Sequence, residues 1–216
     1  MKYAHARLVV FAKQAIPGQV KTRLIPALGE GGATSLHRAM VERVAAILSQ
    51  AQLAPWRFAV AGEAEDPLFA GKGADLPPLV QHGNDLGERM ANAVEESFAG
   101  QDGEGGVDAV LLLGADCPAI DSGVIETALA ELARGTEVVF VPAEDGGYVL
   151  LGLRRPMPCL FHEMPWGTSA ILRMSVERLE ESKVKYRCLD VLWDVDVPAD
   201  LDRLAQLDPP LKWRRT

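Results

Sequence analysis

Leu8 to Ala12 is an uninterrupted apolar run that passes directly into the loop Lys13-Gln14-Ala15-Ile16-Pro17-Gly18-Gln19-Val20-Lys21-Thr22-Arg23. A strand with no polar face must be covered on both sides, which is the situation of a central strand in a parallel sheet. The loop behind it carries Lys13, Lys21 and Arg23 around Pro17-Gly18, where proline stiffens the approach and glycine admits a backbone that other residues avoid. Cations and a Gly loop at the carboxyl end of such a strand describe a site for a polyanion. The competing reading is a solvated loop whose lysines point into water; three clustered cations in a chain of net charge −8 weigh against it.

The same alternation continues along the chain. Leu36, Met40, Val44, Ile47 and Leu48 fall at helical spacing within 35–48, and Arg57 to Ala61 and Leu79 to Gln81 read as strands. A helix is predicted over 86–98, a strongly buried strand over Val110 to Leu113, a helix over 122–133 and a strand over 137–141. Asp121-Ser122 supplies the cap of the helix that it precedes. A stripe of Ile171, Leu172, Val176 and Leu179 marks a helix over 169–179, Arg187 to Leu189 reads as a strand, and a last helix starts at Pro198, a favoured first-turn position for proline. The stretch 101–106, rich in glycine and acids, is expected to be a flexible surface loop.

With 216 residues, 48% of them hydrophobic, the chain is long enough for one full core, and a single domain over 1–216 is the expectation. No apolar run approaches the roughly 20 residues that span a bilayer, and the opening segment lacks the pattern of a signal peptide. A cytoplasmic protein is therefore expected, with no membrane partner. The acidic balance, without a basic face, argues against nucleic acid. Cys117, Cys159 and Cys188 are odd in number and widely spaced, which favours reduced thiols over a disulfide framework or a zinc cage.

Several common chemistries drop out on spacing. Lys21-Thr22 follows Val20 rather than glycine, Gly71-Lys72 is followed by Gly73, and no Gly-x-Gly-x-x-Gly follows the first strand. His-Glu-x-x-His and Gly-x-Ser-x-Gly are absent, and His5, His37, His82 and His162 offer no Ser/His/Asp order. What remains are acids and glycines at strand ends. Asn84 and Asp85, with Gly87 behind them, stand at a strand-to-helix turn; Asp85 with Glu88 makes a capping box, and the same turn would equally serve a base or ribose pocket. Asp116 follows the strand 110–113 through Gly114-Ala115, where an α/β enzyme holds a divalent metal or a catalytic group; the alternative is a turn cap before Pro118. Glu144-Asp145-Gly146-Gly147 between two strands reads as a hairpin turn or as a base beside a close-approach backbone, and a loop holding both would look no different. Trp166 either stacks on a ligand or plugs the edge of the core. If Asp194-Val195-Asp196 is extended, both carboxylates face one side and can share a cation with Asp116; otherwise Asp196 caps the last helix. Oxygen-only ligands select Mg²⁺ or Mn²⁺ over Zn²⁺.

These segments together, Phe11-Ala12-Lys13, Pro17-Gly18-x-Val20-Lys21-Thr22-Arg23-Leu24, Asp85-Leu86-Gly87-Glu88-Arg89-Met90, Gly114-Ala115-Asp116-Cys117-Pro118, Glu144-Asp145-Gly146-Gly147-Tyr148, Pro165-Trp166-Gly167-Thr168-Ser169 and Asp194-Val195-Asp196, resemble the radical-SAM/selenodomain-associated transferases. That bacterial family is grouped with the nucleotide-diphospho-sugar transferases of the GT-A fold, and the match runs in order along nearly the whole chain. The resemblance implies a three-layer α/β/α sandwich with a mostly parallel sheet and a nucleotide across the carboxyl ends of the first strands. It maps phosphate handling onto Lys13, Gly18, Lys21 and Arg23, and metal binding onto Asp116 and Asp196, with Asp194 beside them. The paired Asp-x-Asp of many metal-dependent glycosyltransferases is here a single Asp116 followed by Cys117-Pro118.

Three functions follow as expectations. The first is glycosyl transfer from a nucleotide sugar to a small acceptor, with Asp145 deprotonating the acceptor hydroxyl and Mg²⁺ or Mn²⁺ as cofactor. The second is nucleotidyl transfer to a phosphorylated metabolite with release of pyrophosphate, toward which the three cations and the single Asp116 lean. The third is a nucleotide-binding module without catalysis, in which the acids serve as caps.

Overall fold

A computed structural model of the chain describes residues 1–70, 72–100 and 106–214. The expected flexible loop over 101–106 lies, apart from Gly106, outside the described residues. The strands β1 (Ala6–Lys13), β2 (Trp56–Ala61), β3 (Leu79–Val80), β4 (Ala109–Gly114), β5 (Val138–Pro142), β6 (Tyr148–Leu153) and β7 (Tyr186–Cys188) form one sheet in the order β3-β2-β1-β4-β6-β5-β7. All neighbours pair in parallel except β6, which runs against both β4 and β5. The fold is the expected three-layer α/β/α sandwich with a mostly parallel sheet.

The layers follow from the two-residue period of the strands. In β1, Leu8 and Val10 face one side and join Val41, Val44 and Leu48 of α1 (Ile25–Ala51) and Ile125, Leu129 and Leu132 of α3 (Ser122–Ala133). Val9 faces the other side, with Met90, Ala93 and Val94 of α2 (Leu86–Ala99) and Leu179 of α4 (Ile171–Glu181). Both faces of β1 are therefore dry, which accounts for its lack of a polar stripe. Its register places Phe11 opposite Gly114, so β1 and β4 end side by side.

A third, smaller cluster lies behind the first loop: Leu24, Leu28, Leu36 and Met40 pack with Val195 and with Leu201 and Leu204 of the short α5 (Leu201–Leu204). It explains why α1 begins ten positions before the helix predicted from periodicity. The Gly29-Glu30-Gly31-Gly32 stretch bends the helix, Gly29 taking φ 68°, but Leu28 is held in this cluster and the chain stays helical on either side. Among the described residues no helix is long and apolar enough to cross a membrane.

Candidate active site

The carboxyl ends of β1, β2 and β4 point to one edge of the sheet, and the turn between β5 and β6 returns to that edge because β6 is antiparallel. A cleft of about 580 Å³ opens there. Lys13, Lys21, Arg23, Asp116, Asp145, Gly147, Trp166 and Asp196 of the residues singled out from sequence line it.

The first loop is set by two backbone positions. Gly18 turns at φ 80°, and Lys21 takes a left-handed conformation, φ 48°, at the start of the tight turn Thr22–Leu24. Val20 and Leu24 are buried on either side of it, which over-determines that conformation. The consequence is an inward-pointing lysine whose side chain is 6% exposed. Its Nζ donates to the carbonyl of Val195 at 2.7 Å and sits 3.1 Å from Asp116 Oδ2. Val195 N in turn donates to the Asp116 carbonyl at 3.1 Å, so the end of β4, the first loop and the late acidic segment are tied at one point. Arg23 pairs with the Asp196 carboxylate at the cleft rim.

Each of these cations thus holds a carboxylate, whereas Lys13 forms no ion pair among the described residues. Partial desolvation in the cleft, with half of the side chain still exposed, drives the Asp116 carboxyl upward, but Lys21, His37 and Lys13 outweigh it and hold the group below the ordinary carboxylate range. Asp194 goes the other way: burial, then the nearby charge of Asp145, push it up. His37 lies beneath the loop, 4% exposed, its Nε2 at 2.8 Å from the Lys13 carbonyl; burial lowers its pKa.

Six predicted residues stand outside the cleft lining, and most have work elsewhere. Asp85 is the N-cap of α2, its Oδ1 accepting from Glu88 N at 2.8 Å, while Glu88 Oε2 accepts from Asn84 N and Nδ2 at 2.7 and 2.9 Å. A Cβ on Gly87 would lie 2.3 Å from the Phe161 carbonyl oxygen and 2.5 Å from Trp166 Nε1, and one on Gly146 would lie 2.3 Å from the Ser169 carbonyl oxygen. These two glycines allow close packing of the chain on itself. Gly18 shapes the loop, and Asp194 stays behind the rim. Asp145 Oδ1 accepts from Gly147 N at 2.9 Å, the geometry of an aspartate closing its own turn, so this segment is a hairpin whose aspartate also lines the cleft. The last helix is not capped by Asp196: Asp200 Oδ2 accepts from Asp196 N and Val197 N, both at 2.8 Å.

A divalent cation fits this donor set in one form only. Among the described residues no group of three or more acidic, His or Cys side chains is placed to hold a metal, so the trio Asp116, Asp194 and Asp196 is not a ready cage. A carboxylate kept ionised at the cleft floor suits Mg²⁺ or Mn²⁺ held by one or two carboxylates, water and the phosphates of a substrate.

Periodicity did not single out His37, Gln81, Arg89 or Tyr148, which also line the cleft. His37 is buried on a largely apolar helix face, Gln81 reaches the site from the end of β3, and Arg89 reaches it from the first turn of α2.

Residues 44–168 match the model of the family described as an uncharacterized protein conserved in bacteria, DUF2064. No curated protein matches the chain. Among solved structures, a Desulfovibrio desulfuricans G20 protein provisionally named a nucleotide-diphospho-sugar transferase is 30% identical over 94% of this chain and 87% of its own, with a TM-score of 0.84. The fold is shared at 8% identity by 4-diphosphocytidyl-2C-methyl-D-erythritol synthase of Anaerococcus prevotii, TM-score 0.59, covering 93% of this chain and 96% of that one. Glucosyl-3-phosphoglycerate synthase of Mycobacterium tuberculosis, solved with Mn²⁺, uridine diphosphate and its product, shares it at 11% identity, TM-score 0.52, covering 92% of this chain and 75% of that one. With more than half of its residues inside the family model and a relative at 30% identity along nearly its whole length, the chain belongs to the DUF2064 family.

Proposed function

We propose that this protein is a transferase that takes a nucleotide substrate, and that it moves a glycosyl group from a nucleotide-diphospho-sugar to a small acceptor in the cytoplasm, acting on neither nucleic acid nor a membrane. The observation that carries the nucleotide-transferase reading is the joining of Lys21 to Asp116 at the end of β4, with Lys13 and Arg23 beside it in the same cleft; the choice of glycosyl transfer is supported by the 30% identical relative provisionally named a nucleotide-diphospho-sugar transferase. In glycosyl transfer the bond between the sugar and the diphosphate breaks, and negative charge grows on the leaving diphosphate. Fixed cations already oriented at that position lower the barrier without reorganising. Lys13 is free to meet phosphate at once; Lys21 is held by the protein and needs no ordering. Asp145 lines the same cleft, where its second oxygen would accept the proton of an acceptor hydroxyl. Mg²⁺ or Mn²⁺, held by Asp116 with phosphate oxygens, would supply further charge neutralisation when bound.

Support comes from the relative provisionally named a nucleotide-diphospho-sugar transferase, and from a more distant one solved with Mn²⁺ and uridine diphosphate. The narrower kinship with radical-SAM/selenodomain-associated transferases is part of the same proposal, as is the single domain. Nucleotidyl transfer is the second reading, favoured by the cation cluster facing the single Asp116; there pyrophosphate would be the leaving group.

The test combines thermal shift with product analysis. Nucleotide sugars and nucleoside triphosphates are added with and without Mg²⁺ to the wild type and to Asp116→Asn, and turnover is followed with a panel of hydroxylated and phosphorylated acceptors. A Mg²⁺-dependent stabilisation lost in Asp116→Asn, with release of a nucleoside diphosphate, is the expected result. Pyrophosphate would select the second reading, stabilisation indifferent to Mg²⁺ without turnover would leave a nucleotide-binding module without catalysis, and no shift with any nucleotide would overturn the nucleotide reading.

A further inference from the structure

Gln81 directly follows β3, and its backbone N donates to the Val60 carbonyl at 2.8 Å, extending the β2–β3 ladder by one residue. Its side-chain Nε2 donates to two main-chain carbonyls, Ala59 O at 2.8 Å and Ala12 O at 3.4 Å. Two carbonyls on one side of a primary amide leave no choice of orientation: the NH₂ must face them, and Oε1 must face away. That oxygen has no hydrogen-bond partner among the described residues. Gln81 lines the β3 side of the cleft and offers this oxygen as an acceptor whose orientation is fixed by the sheet.

Arg89, one turn into α2, lines the same cleft. Its Nε donates to the Gly83 carbonyl at 3.2 Å, and among the described residues it has no carboxylate partner, unlike Arg23 and Lys21. Phe11, Leu86 and Met90 give the cleft apolar surface beside these two groups. The sheet order β3-β2-β1-β4 sets this donor-and-acceptor pair to one side of Lys13, with Lys21 and Asp116 to the other.

Resting on the transferase reading above, we infer that Gln81 and Arg89 read the base of the nucleotide, and that they select a base with a lactam edge, an N–H next to a carbonyl, as in uracil, thymine or guanine. Asn84 and Asp85, the nearest sequence candidates for that role, are engaged by Glu88 in starting α2. The Oε1 of Gln81 takes the lactam N–H, and the guanidinium of Arg89 takes the adjacent oxygen. Adenine has no carbonyl, and the usual glutamine contact to adenine needs both ends of the amide; here the NH₂ end is already bound to the sheet. In cytosine the carbonyl is separated from the amino group by a bare ring nitrogen, so the two protein groups meet an edge of different order.

The experiment measures dissociation constants of UDP, dTDP, GDP, CDP and ADP by calorimetry in Mg²⁺, for the wild type, Arg89→Met and Gln81→Met. The wild type should bind UDP, dTDP or GDP roughly tenfold or more tighter than CDP and ADP. Arg89→Met should lose that margin while changing ADP and CDP affinity less than about threefold. Melting curves identify a variant that fails to fold, and the wild-type panel stands without either variant. Equal binding of all five diphosphates, a preference for ADP or CDP, or an equal loss for all five in Arg89→Met overturns the base-reading role and leaves the transferase reading intact. No binding of any of them removes both.

Discussion

Replacing Lys21 by methionine keeps the length and apolar stem of the side chain but removes the ammonium that joins three segments. The loss comprises a charge-assisted contact to Asp116 at 3.1 Å and a hydrogen bond to the Val195 carbonyl at 2.7 Å. Breaking a fully buried ion pair costs about 3–5 kcal/mol, but the Asp116 side chain is 51% exposed to the cleft, so water takes up part of the abandoned charge. The scale for hydrogen bonds to charged groups, about 1.5–3 kcal/mol, is therefore the better guide. For a chain of this size that is a drop of roughly 3–12 °C in Tm. Asp116→Asn, combined with Lys21→Met in a double-mutant cycle, should show a coupling of about 1–2 kcal/mol, because each substitution removes the same contact. Urea unfolding followed by circular dichroism gives all four free energies. A coupling within about 0.3 kcal/mol of zero would mean that the pair is not formed in solution, and the argument for a preset charge centre at the end of β4 would fail.

Asp85→Ala should lower stability by about 1 kcal/mol through loss of the α2 cap while leaving nucleotide affinity unchanged within twofold; a large affinity loss would restore a ligand-binding role to Asp85. Gly146→Ala, at φ 90° and with its Cβ 2.3 Å from the Ser169 carbonyl oxygen, should cost roughly 2–3 kcal/mol or more in thermal unfolding, and a neutral result would show that the hairpin does not sit on Ser169 as described. The Glu137 carboxylate accepts from Lys185 N at 3.1 Å and, with help from Arg155, is held below its ordinary range. It therefore contributes stability above its unfolded pKa that is lost as pH falls through the folded value. Glu137→Gln should be less stable than wild type at pH 7 and indistinguishable from it under strong acid, as read by urea midpoints across pH.

The strands of this protein are legible because most are dry on both faces, and dryness leaves a mark that needs no partner to interpret. Charge convergence is less local. Lys21 could be suspected from its neighbours Pro17-Gly18, but its burial depends on Val195, far along the chain, supplying a carbonyl. Gln81 is silent in sequence because its orientation is dictated by Ala59 and Ala12 on two other strands. Asn84-Asp85 shows the reverse ambiguity: one short pattern serves both a helix start and a ligand turn, and the structure shows the helix start, with Glu88 closing back on Asn84. The early start of α1 was hidden by Gly29, Gly31 and Gly32, whose helix-breaking tendency is offset by the packing of Leu24 and Leu28.

The reversed direction of β6 has a bearing on how such an enzyme could change its clientele. A strand that enters the sheet from the functional edge carries a turn there that is joined to the scaffold at both ends, by Ala143 N donating to the Gly147 carbonyl at 3.0 Å and by the β5–β6 ladder behind it. Residues can be exchanged or added at such a tip without shifting the register of β1 and β4. It is also latched from outside, by Arg203 reaching Glu144 at 2.6 and 2.9 Å and by Gly146 resting on Ser169. The hairpin tip is thus a cassette with fixed hinges, held at its sides by the Glu144 and Gly146 contacts while the charge centre at the end of β4 stays in place.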